Sequence, residues 1–326
     1  NGLTHHISAT FDSVNNKVVI AYKEYTGLGT AIVGTVSGDT ISFGTKVVFH
    51  DKASDYSKAV YDPVAGKVVI VYADQGDRNA GAAIVGTVSG DSISFGTKVV
   101  FSVNQAWGLS ATYDSGASKV VIAYSDFVNS KYGTAIVGTV SGNSISFGTS
   151  TVFYSVDTVQ MSVSYDPGAN KVVIAYSDKV NSNYGSAKVG TVSGNSISFG
   201  SPVRFTSAAT YSISTTYDPV ASKLFMAYTP GEAVAATVEG DTISFGTPVV
   251  FNSGVASHIS SVYDSVANKL VIAYGDYDNS GYGTAVTYSP GGITTNLTDS
   301  NYIGVSTDDY ADGAEATVQI AGINAD

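Results

Sequence analysis

The chain has 326 residues, a net charge of −11, 13% charged residues and no Cys. The missing Cys excludes disulfide frameworks, thiolate metal sites and cysteine nucleophiles. An acidic balance with two Arg (Arg78, Arg204) excludes nucleic acid as a partner, and no apolar run approaches the roughly 18 residues of a membrane helix.

In chain order, the first segment with strand character is HISATFD (6–12), which ends on an aromatic–Asp pair. KVVIAY (17–22), GTAIVGTV (29–36) and TISFGTKVVF (40–49) follow, rich in Val, Ile, Phe and Thr. A Ser–Gly–Asp turn joins the third segment to the fourth as a tight hairpin. The set then recurs: the aromatic–Asp pair places Asp at 12, 62, 114, 166, 218 and 264, spacings of 50, 52, 52, 52 and 46. Residues 31–49 and 83–101 differ only at Thr40 against Ser92.

Four antiparallel strands per repeat, in six repeats of about 50 residues, predict an all-β, six-bladed β-propeller. The expected domain covers 1–298, with repeats near 1–49, 50–101, 102–153, 154–205, 206–251 and 252–298. Residues 299–326 read as a short β-rich C-terminal extension or the start of a further module. The sixth repeat lacks the Ser–Phe–Gly strand, and the start at Asn1 suggests a piece of a longer chain.

Repetition assigns roles. The repeated Asp suits a turn cap that accepts backbone N–H groups. The repeated Lys that opens the second strand is expected to snorkel or to meet an acid at the blade edge. Phe43, Phe95, Phe147, Phe199 and Phe245, with the Tyr before each repeated Asp, are expected in the blade-to-blade core.

The inter-strand turns of one face barely change between repeats, whereas the blade connections of the other face diverge: residues 50–56, 102–107, 154–160, 206–211 and 252–258. A fixed scaffold with one variable face suits recognition, although unrestrained drift of loops gives the same pattern. Five residues before each repeated aromatic lie His6, Tyr56, Gly108, Gln160, Ser212 and His258, expected around the channel mouth, with His6, Tyr56 and His258 clustered once the ring closes. Trp107 and Tyr211 sit one residue earlier in their repeats. Three residues before the aromatic, Lys58 interrupts a column of Ser8, Ser110, Ser162, Ser214 and Ser260. The candidate ligand-binding residues are therefore His6, Tyr56, Lys58, Trp107, Gln160, Tyr211 and His258.

No cofactor is expected apart from Ca2+, for which Asp276, Asp278 and Ser280 offer a partial calcium-loop spacing without the downstream Glu of an EF-hand. Asn296, Leu297 and Thr298 form a sequon. Catalytic residues are absent from the reading: Arg is too scarce for a sialidase, and Asp51, Asp55 and Asp157 show no obvious convergence as a glycosidase pair.

The phrases AIVGTVSGDTISFGTKVVF and YDSxxxKVVIAYxD resemble repeats of tail-fibre and other virion surface proteins of marine bacteriophages, including those of cyanobacteria. The segment NYIGVSTDDYADGAEATVQIAG is similar to short modules that follow such repeats. The resemblance implies a non-enzymatic module on a virion surface or in an extracellular setting that binds a cell-surface glycan or receptor. Its other expected partners are virion or appendage subunits, with homo-oligomer contacts supplied by flanking regions. A purely structural decoration module, a bacterial adhesin and a polysaccharide hydrolase stay open beside that reading.

Overall fold

The computed structural model describes residues 4–288. The sequon, the altered end of the sixth repeat and residues 299–326 lie outside the described residues. Apart from three single-turn 3-10 segments at 75–77, 179–181 and 277–279, all regular structure is β, and no helix among the described residues could cross a membrane.

Each repeat builds one antiparallel unit. In the first, His5–Asp12 pairs with Lys17–Lys23, which pairs with Leu28–Ser37. The fourth strand differs from the expectation of one continuous segment over 40–49. Thr40–Phe43 pairs with the last residues of the third strand, whereas Val47 and Val48 pair with Ala31 and Thr30 nearer its start. The break falls at Gly44, whose N–H reaches the Val33 carbonyl at 2.9 Å.

The blade connections also differ from the expected loops. Residues 50–56 continue the strand, so Val47–Asp62 runs from the edge of one unit into the first strand of the next. Val99–Asp114 and Thr151–Asp166 do the same. The reason is pairing on both sides: His50 and Ala53 pair with the preceding unit, and Ser54 and Asp55 with the following one. Polar sequence there belongs to a strand, not to irregular backbone: Asp51 and Lys52 are exposed, whereas His50 and Ser54 are buried.

First strands of consecutive units pack against one another, and the core lies between units. The second strands are nearly continuous apolar runs because both of their faces are covered; Val68, Val69, Ile70, Val71 and Tyr72 are fully buried. Phe49 packs on Phe95 of the next unit (5.8 Å) and on Tyr72 (5.3 Å). Phe101 with Phe147, Phe153 with Phe199 and Phe205 with Phe245 repeat the contact. Among the described residues Phe43 is the exception, at 51% exposed. Among the described residues no unit packs on that face of the first, so Ile41 is 41% exposed where Ile93 is 3%.

The repeated Asp is a turn cap. Asp62 accepts the N–H groups of Val64 and Ala65 at 3.0 and 2.9 Å, and Asp166 and Asp218 do the same in their turns. The repeated Lys joins units. Lys17 donates to Thr35 of its own unit and to Asp91 in the hairpin of the next, and Lys171 to Thr191 and Asp241. Where the hairpin carries Asn, the Thr spans the gap, as Thr87 to Asn143 and Thr139 to Asn195. Gly44, Gly96, Gly148 and Gly200 let those hairpins approach, since a Cβ at each would collide with the carbonyl of the neighbouring hairpin residue.

Candidate functional site

The column His6, Tyr56, Gly108, Gln160 and His258 proves to be a repeated β-bulge. Each residue has φ between 49° and 59°, the left-handed region. In the second unit Asp55 pairs with Ala73 and Lys58 with Val71, so two residues, Tyr56 and Ser57, face Tyr72 alone. The fifth unit, with Ser212 in the column, has no bulge there: Ile213 pairs directly with Tyr228. A left-handed conformation costs an L-residue roughly 1–2 kcal/mol, and four side chains other than Gly accept that cost at one level of the molecule. The occurrence of Gly among His, Tyr and Gln was the sequence signal for it.

The bulge turns the side chains before it toward the loop that follows the second strand. Two clusters result. The first joins units one and two. Asp55 sits at its centre, bonded by Lys23 (2.7 Å) and by Gln75, with His6 Nε2 at 3.3 Å. The His6 ring lies 5.0 Å from the Tyr56 ring. Burial lowers the His6 pKa against the opposing pull of Asp55. Burial acts to raise the Asp55 pKa, but hydrogen bonds from Lys23 and Gln75 outweigh it and the carboxyl is held below its ordinary range. Burial, then Asp55, pushes the Tyr56 phenol up.

The second cluster joins units three and four. Trp107 and Phe127 stack at 4.9 Å and remain 37% exposed each. Lys131 covers the Phe127 ring at 5.0 Å, and its Nζ lies 4.0 Å from Asp157, which Lys179 also bonds at 2.9 Å. Two partly exposed rings, that of Phe127 capped by Lys131, flanked by donors and a carboxylate form a shelf able to pack on an apolar C–H patch and hydrogen-bond its rim. Asp55 and Asp157 thus do converge with other groups, although with Lys and His and not with a second carboxylate.

The remaining predicted residues are dispersed. Gln160 and Tyr211 are exposed singly, the latter at 60%. His258 is exposed, its ring bonded to Ser257, and no contact brings it to His6 or Tyr56, because the described sixth unit does not pack on the first. Lys58 is half-buried among the first strands. Phe127, Lys131 and Lys179 were missed: their loops were read as turns, and only the bulge reveals which strand residue each loop meets.

The loop over 276–283 uses its Asp as a cap. Asp276 accepts from the Asp278 N–H at 3.2 Å, and Ser280 closes the turn with φ 57°. Among the described residues no three His, Asp or Glu side chains gather in a metal-binding group. Asp74, bonded to His50 (2.8 Å) and Lys98 (2.7 Å), is likewise a structural knot beneath the loop at 75–77.

No protein-family model matches the sequence, and no curated protein is similar to it. Solved structures are similar in fold. The BP39L lectin of Burkholderia pseudomallei shares 11% identity at a TM-score of 0.67, with 90% of this chain and 83% of that chain covered. The Aleuria aurantia lectin bound to Fucalpha1-6GlcNAc shares 12% at 0.56, over 89% and 94%. The SapL1 lectin in complex with alpha methyl fucoside shares 11% at 0.55, over 90% and 95%. The neighbours are β-propeller lectins, and this chain is an all-β protein with the same kind of fold.

Proposed function

We propose that the chain is a non-enzymatic carbohydrate-recognition module that binds glycan on the face bearing the bulges. The observation that carries this reading is the exposed Trp107–Phe127 shelf with Lys131 and Asp157 beside it. The lectin neighbours support it at the level of fold. A binding role without hydrolysis is supported by the engagement of the nearby carboxylates: Asp55 by Lys23, Asp157 by Lys179 and Asp74 by Lys98. The repeat phrases favour a phage tail fibre or similar surface appendage as its setting.

The proposed frame is a six-bladed propeller closed between its ends. The first unit leaves Asp39 exposed where Asp91 and Asp241 receive a Lys from the preceding unit. The sixth unit leaves Lys269 exposed at the position of Lys17 and Lys171. The two are complementary.

A glycan array with the wild type, Trp107→Ala and Tyr56→Ala tests the function. The reading expects saccharide hits that weaken at least tenfold in Trp107→Ala; hits unchanged in both variants place the site elsewhere.

A further inference from the structure

The first strands are stitched together by serine. Ser8 accepts the Ala59 N–H at 3.0 Å, Ser110 that of Val163 at 3.1 Å, Ser162 that of Thr215 at 3.0 Å and Ser214 that of Ser261 at 2.9 Å. Each bond joins a unit to the next. At the junction of units two and three the serine position holds Lys58. Ala111 pairs with Ile122 as Val163 pairs with Ile174, so its N–H faces the same way. A lysine ammonium has no lone pair to accept it. The junction gives up a hydrogen bond and gains a cation.

Among the described residues that cation has no counter-ion. The other half-buried lysines are all engaged: Lys17 and Lys171 by Asp91 and Asp241, Lys23 and Lys131 by Asp55 and Asp157, Lys67 and Lys119 by threonine hydroxyls, and Lys188 by the Phe153 carbonyl. Among the described residues Lys58 Nζ meets neither a carboxylate nor a hydrogen-bond acceptor. Burial also lowers its pKa. Half-burial strips part of the water from this unpaired charge, and such a group suits a ligand that supplies the missing partner. An ammonium without an acceptor selects for an anion, since Asp55, the carboxylate three residues before it, is already held by Lys23 and Gln75.

We propose that Lys58, which takes the place of the stitching serine in unit two, receives an anionic substituent of the glycan, a carboxylate or a sulfate ester on a sugar ring. The ring bearing it stacks on the neighbouring aromatic rim. This inference rests on the glycan-binding reading and narrows it to acidic polysaccharides.

The test is calorimetric titration with matched oligosaccharides: one neutral, one carrying glucuronate, one carrying a sulfate ester. The wild type is expected to bind one or both acidic members about tenfold more tightly than the neutral one, a preference that shrinks as salt is raised. Lys58→Ser inserts the residue of the other units, so it folds, and it abolishes the preference. Lys223→Ser, at an exposed lysine, keeps it. A wild type that binds neutral and acidic members alike, or a Lys58→Ser variant that retains the preference, overturns the anionic site and leaves glycan binding standing. A wild type that binds no saccharide overturns both.

Discussion

Ser110→Ala isolates one inter-unit stitch. The Ser110 hydroxyl is buried, 8% exposed, and its Oγ lies 3.1 Å from the Val163 N–H. Alanine keeps the strand geometry and removes only the acceptor. Val163 is 6% exposed, so water does not readily replace the lost partner, and an unsatisfied buried donor costs about 1–3 kcal/mol. Urea unfolding followed by far-UV circular dichroism measures it: the midpoint should fall while the slope stays constant. Ser260→Ala is the companion. In the described residues Ser260 is exposed and makes no stitch, but closure of the ring puts its hydroxyl at the Ala9 N–H. Closure therefore predicts a cost for Ser260→Ala equal to that of Ser110→Ala. A loss below about 0.5 kcal/mol for Ser110→Ala would refute the stitch, and a silent Ser260→Ala beside a costly Ser110→Ala would refute closure.

His6 gives the pH prediction. Its folded-state pKa lies below the ordinary 6.5, so the unfolded chain binds the proton more readily and stability is lost as pH falls through the unfolded value. Melting at pH 7.5 and 5.5 should show a smaller acid loss in His6→Asn, whose side chain tolerates the left-handed bulge. Asp39→Lys should destabilise the closed ring, and adding Lys269→Asp should recover part of the loss, a coupling of roughly 0.5 kcal/mol in a double-mutant cycle. Asp166→Ala removes the acceptor of two turn N–H groups, at 2.9 and 3.1 Å, and should cost about 1–2 kcal/mol in the same urea assay.

Features carried by local chemistry were readable from the sequence. An Asp two and three residues before the N–H groups it accepts is a local event, so Asp62 and Asp166 announce their turns. The Ser column with Lys58 as its exception was also visible, although the reason for Ser, a hydrogen bond to the next unit, was not. The bulge was visible as a column without its conformation, because Gly108 alone signals a left-handed residue and His, Tyr and Gln carry no such propensity. Contacts across sequence were hidden for a different cause. Trp107 meets Phe127, and Asp55 meets Gln75, about a strand and a turn away, and the meeting depends on where the bulge turns the chain. Phe43 differs from its counterparts because repetition describes an average unit, whereas among the described residues no unit packs on the outer face of the first.

Trp107 is the sole Trp of the chain, so its emission reports on the proposed shelf without a label. Titration with a saccharide bound in calorimetry should shift or quench that emission saturably, at the same dissociation constant in both measurements. Trp107→Ala should weaken the calorimetric binding by about 2 kcal/mol, roughly thirtyfold. Saccharide binding that leaves Trp107 emission unchanged and survives Trp107→Ala would contradict the assignment of glycan recognition to this face.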